Sequence, residues 1–329
     1  MLRTLAHRGA AGLGVVGGVV TLTFFLLHLA PGEPVRRLLG PAAAPEQIAA
    51  QRRALGLDRP LPAQYAEWVG RFVRGDWGTS LANGRPVADL IGAAWPSTLR
   101  LVALSLLFSY LLGVVVGTFQ AARGGSRLDT SLSVVTVTLF ALPGYWLGLM
   151  LIMVFSFWAR ALPAFGAAGL DAEYLGTWSR ASDALHHLAL PLVTLTLIGV
   201  GGTARFVRGA VLDALAQPFV TAALAKGLPP ARILHRHVLR NALLPVLTLL
   251  GLSLPALFSG TVFVEAVFAW PGVGGLLVQA VQARDYPLVM AATAVSAVLV
   301  VLGSVLADTF AVWADPRLRT PAGRPHGGH

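Results

Sequence analysis

The residues able to do chemistry in this chain are few. The single lysine, Lys226, is followed by Gly227. A phosphate-cradling P-loop needs Gly-Lys-Ser/Thr, so that the lysine reaches the β- and γ-phosphates. No such motif is present, and any ATP the protein draws on must be hydrolysed by another chain. Neither His-Glu-x-x-His nor Gly-x-Ser-x-Gly occurs, so metallo- and serine-hydrolase readings lack their nucleophile geometry. Cysteine is absent, which removes disulfides, thiol catalysis and Cys-based zinc sites together. No catalytic residue and no resident cofactor or metal are expected. What remains is a set of charged and aromatic residues near one turn: Glu265, Trp270, Pro271, Gly272, Arg284, Asp285 and Tyr286. They form either an outer gate or docking surface, or structural ion pairs around the Trp-Pro-Gly turn. His186 and His187 are adjacent and so point differently on a helix, as solvated or interfacial residues do; His326 and His329 lie in a Gly-rich tail.

The elements that must position these residues follow from composition. Of 329 residues, 55% are hydrophobic and only 12% charged, and mean hydropathy is +0.69. Soluble domains carry about 25% charged residues. The net charge of +10 reads first as a topological signal in so apolar a chain. No basic stretch is interleaved with aromatics as single-strand binders require, and no nucleic-acid partner is expected.

Six uncharged runs stand out, bounded by Arg8 and Glu33, Arg100 and Arg123, Asp129 and Arg160, Asp183 and Arg205, Arg240 and Glu265, and Asp285 and Asp308. Each is long enough to supply the ~20 residues that cross about 30 Å of hydrocarbon. Backbone in lipid must satisfy its own amides, so the spans are helices; the period-two alternation of porin strands is missing. The expected fold is all-α with six transmembrane helices. The first run is too long for a signal-peptide core, and its end, His28-Leu29-Ala30-Pro31, lacks a small-x-small cleavage site, so it reads as a retained helix. With both termini inside, the inner segments hold Arg3, Arg8, Arg123, Arg127, Arg205, Arg208, Lys226, Arg232, Arg236, Arg240, Arg317, Arg319 and Arg324, while the two short outer loops hold only Arg160, Arg180 and Arg284. That bias places both termini in the cytoplasm. The Arg-rich segment from Glu33 to Arg100 is long enough to translocate regardless of charge.

The expected organisation is an N-terminus with first span (1–30), an outer helical region (31–97), a membrane core (98–312) containing an inner loop (205–241), and a cytoplasmic tail (313–329). In the outer region Pro45 to Leu55 is amphipathic, and Trp68, Trp77 and Trp95 suit an interfacial aromatic belt. In the inner loop, Arg205 to Gln217 reads as one helix. A short helix then opens at Pro218 and closes at Gly227, the usual helix punctuation. Pro229-Pro230 opens another, Ala231 to Asn241, leading into the fifth span. The short helix is either gripped by a partner along its Ala-rich face or laid on lipid head groups.

The loop residues Thr221-Ala222-Ala223-Leu224-Ala225-Lys226-Gly227 and His237-Val238-Leu239-Arg240-Asn241-Ala242-Leu243-Leu244-Pro245 resemble the cytoplasmic Glu-Ala-Ala loop of binding-protein-dependent ABC importer permeases, in the dipeptide/oligopeptide/nickel branch. Pro31-Gly32-Glu33-Pro34-Val35, Leu55-Gly56-Leu57-Asp58, Gly75-Asp76-Trp77-Gly78-Thr79-Ser80, Val264-Glu265, Trp270-Pro271-Gly272, Arg284-Asp285-Tyr286-Pro287 and Asp315-Pro316-Arg317-Leu318-Arg319 extend the likeness over nearly the whole chain. The long outer segment resembles the first, or B-type, of the two permease subunits. Thr221 and Leu224 depart from the pattern, standing where an acid and an arginine are common.

The resemblance implies a type I importer permease fold in a bacterial or archaeal cytoplasmic membrane. It implies a second permease subunit, two cytosolic ATPase subunits that use ATP and magnesium, and an extracytoplasmic substrate-binding protein. Helix 218–227 would be the coupling helix, with Ala222, Ala223, Lys226, Gly227, Arg232, His237, Arg240 and Asn241 contacting the ATPase and Gly227 as its C-cap. Peptides are the implied substrate and a nickel complex the alternative. Ion-coupled secondary transport usually requires intramembrane carboxylates, which the six runs lack. A membrane scaffold without transport would tolerate loss of 218–230.

Overall fold

The computed structural model describes residues 2–29, 39–40, 42–54 and 56–314 and is built from helices. The Pro31–Val35 motif, Leu55 and everything from Asp315 onward, including the tail, lie outside the described residues. A long apolar helix, α1 (Leu2–Leu29), leads to a segment that carries α2 (Pro45–Ala54) and α3 (Leu61–Val73). The core follows as α4 (Val87–Ala122), α5 (Arg127–Ala141), α6 (Gly144–Leu151) and α7 (Thr177–Leu215). The loop after α7 carries α8 (Pro218–Ala225) and α9 (Pro230–Ile233). The chain ends in α10 (Leu239–Val267), the short α11 (Val273–Ala283) and α12 (Tyr286–Ala314).

Four of these helices are long and apolar enough to span a membrane: α1, α4, α7 and α12. The third uncharged run does not form one straight helix. It folds as α5 and α6, bent by 106° at a short break. The cause is local. Pro143 forces the preceding Leu142 out of the helical region, to ψ 135°, and α6 restarts behind the proline. The fifth run is helical throughout α10. The expected boundary at 97 falls inside a continuous 36-residue helix, α4, which begins at Val87. Likewise Arg205 to Gln217 is no separate helix but the end of α7, and the segment 231–241 is interrupted by a π-turn at Leu234–Val238.

The most extensive helix pairing is α4 against α7, and small residues permit it. A Cβ at Gly117 would lie 2.5 Å from the Ala204 carbonyl oxygen, and one at Gly113 would lie 2.6 Å from Thr203 Cβ. Gly113-Val-Val-Val-Gly117 is a Gly-x-x-x-Gly seam, which lets helix backbones approach in the absence of a hydrophobic driving force in lipid. The two ends of α4, about 50 Å apart at 1.5 Å per residue, join different clusters. Val87 and Ile91 pack with Val273, Leu288 and Val289. Ala121 packs with Val207, Val211, Val220 and Ala223. The three indoles expected in an interfacial belt are half-buried against the protein. Trp68 covers Phe24 and Met290, and Trp77 and Trp95 pack against the cluster around Val87.

Candidate functional site

At the end of the bundle where α7 and α10 meet, the candidate site is the short helix α8. Pro218 occupies its first turn and Gln217 precedes it in an extended conformation. The helix closes with two bonds, the Gly227 amide donating to Leu224 O at 2.9 Å and the Leu228 amide to Ala223 O at 3.3 Å. This is a Schellman closure. The C-cap is therefore Lys226, with Gly227 the residue after it at φ +74°, one position later than expected. A left-handed φ costs a side-chain-bearing residue roughly 1–2 kcal/mol, so glycine suits this turn.

The expected contact face divides in two. Val220 and Ala223 are buried against Val207, Val211, Ala214, Ile233 and Val238. Ala223 thus faces its own chain rather than a partner, because a helix of this length needs one face to anchor it. Ala222, Leu224, Ala225 and Lys226 are exposed, with Leu224 52% accessible. Arg232, Arg240 and Asn241 are exposed and His237 half-buried; the Asn241 amide donates to the His237 carbonyl at 2.8 Å. Among the described residues no carboxylate pairs with Lys226, Arg232 or Arg240. The result is a rigid, glycine-ended knob with an apolar and cationic outer face, stitched to the ends of α7 and α10.

Beside it lies an ion pair the charge pattern did not disclose. Arg208 on α7 donates two bonds to Asp129, Nε to Oδ1 at 2.7 Å and Nη2 to Oδ2 at 2.8 Å. Asp129 also accepts from the Gly125 amide at 3.0 Å, while the Ser126 hydroxyl caps α5 by accepting from the Asp129 amide. The turn between α4 and α5 is thereby pinned to α7. Ser126-x-x-Asp129 is a capping-box-like signal in the sequence; its partner, 79 positions away, carries none.

At the opposite end of the bundle, the expected pairing of Glu265 and Asp285 with Arg284 does not form. Each carboxylate is fully buried and satisfied by neutral donors. Glu265 accepts from Thr98 Oγ1 at 2.8 Å and from the amides of Gly274 and Gly275 at 2.7 and 3.1 Å. The Val273 amide donates to the same Thr98 hydroxyl at 2.9 Å. The first three amides of α11, which a helix leaves without intrahelical partners, are thus all taken up, with the anion at the positive end of the helix. Gly272 leaves room for the carboxyl, and Trp270 Nε1 donates to the Ser97 carbonyl at 3.1 Å. Pro271 is exposed. Asp285 precedes α12, accepting from the Leu288 amide at 3.4 Å, from the Ala82 amide at 3.2 Å and from the Ser80 hydroxyl. Arg284 ends α11 in a left-handed conformation, φ +56°, and Tyr286 rests its ring 5.8 Å from that of His28. Outside the spans, the Arg71 guanidinium beside Asp76, helped by the Gly78 amide, holds that carboxyl below the usual range.

Between the two ends lies a cavity of about 700 Å³ framed by α4, the α5–α6 break, α7 and α10, mostly apolar with Ser109, Tyr110, Tyr145 and Thr203 on its walls. A second cleft, about 620 Å³, opens below it beside Asp213, Phe219 and Asn241. His186 and His187 turn inward on their own helix, each Nδ1 bonding the carbonyl four residues back. Among the described residues no three His, Cys, Asp or Glu side chains come together as a metal site would need.

Residues 110–320 match the family described as binding-protein-dependent transport system inner membrane component, and residues 1–102 match its N-terminal family. The oligopeptide transport system permease protein AppB of Bacillus subtilis is 36% identical over 97% of this chain and 99% of its own. The probable D,D-dipeptide transport system permease protein DdpB of Escherichia coli is 37% identical over 92% of this chain and 94% of its own. The di/tripeptide transport system permease protein DppB of Pseudomonas aeruginosa is 36% identical, covering 97% and 99%. Among solved structures, an inward-facing MetNI methionine ABC transporter chain superposes with a TM-score of 0.54 at 20% identity, over 70% of this chain and 98% of that one.

Proposed function

Because the chain belongs to the family of binding-protein-dependent transport system inner membrane components, we propose that it is the first permease subunit of an ATP-driven importer of peptides. Its full-length relatives are named for oligopeptide, D,D-dipeptide and di/tripeptide transport. The observation that carries the coupling role is α8, a capped helix whose outer face is exposed in a chain with no nucleotide-binding motif.

In this reading α8 seats in a groove of a cytosolic ATPase. Ala222, Lys226 and Arg232 make contact; Gly227 and the buried Ala223 hold the helix in place, and His237, Arg240 and Asn241 support it. Nucleotide binding closes two ATPase subunits, and the seated helix moves the ends of α7 and α10 with it. A rigid element with two discrete positions is what such coupling requires. A second permease subunit completes the pathway, and magnesium and ATP bind on the ATPases. Six spans cross the cytoplasmic membrane: α1, α4, the broken α5–α6 pair, α7, α10 and α12, with both termini in the cytosol. The outer surface around Trp270, Pro271, Gly272, Arg284 and Tyr286, braced from beneath by Glu265 and Asp285, receives the substrate-binding protein.

Reconstitution of the chain with its second permease, ATPases and receptor in lipid vesicles tests this. Labelled peptide should accumulate only with ATP and receptor. Uptake driven by an ion gradient without the ATPases would overturn it.

A further inference from the structure

Arg205 and Arg208 sit one turn apart on α7 and have opposite surroundings. Arg208 is bound to Asp129 by two short hydrogen bonds. Arg205, among the described residues, pairs with no carboxylate. Its guanidinium carbon lies 5.5 Å from the centre of the Phe140 ring, close enough for a cation–π contact that steadies it on the wall. It lines both the membrane cavity and the cleft below, and it is the one charged residue among those described around the upper cavity. An exposed cation at the throat between two cavities, in a wall otherwise made of Leu, Ile, Phe, Tyr, Gly and hydroxyl side chains, has no structural debt to discharge. An exposed guanidinium that lines both cavities is free to meet a ligand passing between them, and a guanidinium is built to take a planar carboxylate by paired bonds.

We infer that Arg205 is a specificity-determining residue, receiving the terminal carboxylate of a peptide as it passes from the membrane cavity into the cytosolic cleft. The inference rests on the peptide-importer reading and adds to it a point of chemical selection inside the permease. Asp213, eight residues further along α7 and about 12 Å deeper by helical rise, lines the lower cleft. It offers the opposite charge to a peptide's ammonium group once the carboxylate has been released.

The test compares a free-acid peptide with its carboxamide counterpart in the complete importer, each at a concentration that saturates the receptor, so that the readout is translocation. Arg205→Gln should lower free-acid uptake about tenfold, the factor for one lost charge-assisted bond. Carboxamide uptake should stay within about twofold, and Arg205→Lys should keep most free-acid transport. Receptor-stimulated ATP hydrolysis should persist in both variants, since Arg205 supports no buried contact. Equal loss of both peptides, as a lipid-phosphate anchor would give, or no loss of either, overturns the inference. A wild-type importer that carries neither peptide but does carry another solute would instead overturn the peptide reading on which this rests.

Discussion

Thr98 on α4 and Glu265 on α10, 167 positions apart, share a 2.8 Å hydrogen bond through which the start of α11 is fastened to two long helices at once. The hydroxyl donates to the carboxylate and accepts from the Val273 amide; Glu265 holds the next two amides. Removing the carboxylate leaves three donors without acceptors in a closed, apolar place. Glu265→Ala should therefore destabilise the subunit by roughly 2–4 kcal/mol, read as a lowered midpoint of thermal unfolding in detergent. Glu265→Gln, which keeps an acceptor oxygen in the same place, should lose less. A midpoint unchanged by Glu265→Ala would mean that water satisfies the cradle.

The α4–α7 seam makes a second prediction with an internal control. Gly117→Leu must push a side chain into the Ala204 carbonyl and Val207, and overpacking of this kind costs about 1–3 kcal/mol or more when backbone is the obstacle. Gly92, on the same helix, faces open space. Gly92→Ala should be neutral or stabilising by up to about 1 kcal/mol through helix propensity. Size-exclusion yield and thermal unfolding of the two variants should diverge; matching behaviour would show that α4 does not need to approach α7 this closely.

The Asp129–Arg208 pair ties the α4–α5 turn to α7. Asp129→Asn and Arg208→Gln should each lower the unfolding temperature, and the exchanged pair, Asp129→Arg with Arg208→Asp, should recover part of the loss. Recovery should be incomplete, because Asp129 also serves the Gly125 amide, which an arginine cannot do. Full additivity of the two single changes would show that the partners do not act together.

What was legible in the chain divides along the range of the forces involved. Uncharged runs located the long helices because the hydrocarbon thickness sets one length for all of them. The α8 boundaries were readable to within two residues because Pro218 and Gly227 act on their own neighbours. The break at Leu142–Pro143 had a local cause too, but the thirty uncharged residues around it read as one generous span; the excess over about twenty was the sign that a bend must be accommodated. Glu265, Asp285 and Arg284 misled in the opposite way. Sequence proximity suggested mutual pairing, whereas the backbone amides of α11 and α12 and the hydroxyls of Thr98 and Ser80 won both carboxylates, being fixed donors that need no second buried charge. Arg208 and Asp129, and the facing of Arg205 into a cavity, depend on how helices far apart in the chain are rotated against one another, which no local pattern encodes.

The division of α8 into an inner and an outer face makes adjacent alanines separable by experiment. Ala223 is buried against Val207 and Val211, so Ala223→Trp should lower the stability and yield of the permease itself, before any partner is added. Ala222 is exposed, so Ala222→Trp should leave the subunit folded but obstruct the proposed seating of α8 on an ATPase. The expected readout is normal membrane insertion with loss of ATPase co-purification and of uptake. Gly227→Pro removes the amide that donates to Leu224 and imposes φ near −65°, where +74° is needed. It should release the helix from its anchor, so that the ATPases remain bound and hydrolyse ATP while transport fails. Gly227→Ala, which keeps the amide and costs only about 1–2 kcal/mol of local strain, should retain partial uptake. Wild-type transport by both Ala222→Trp and Gly227→Pro would mean that this helix carries no force between nucleotide and membrane.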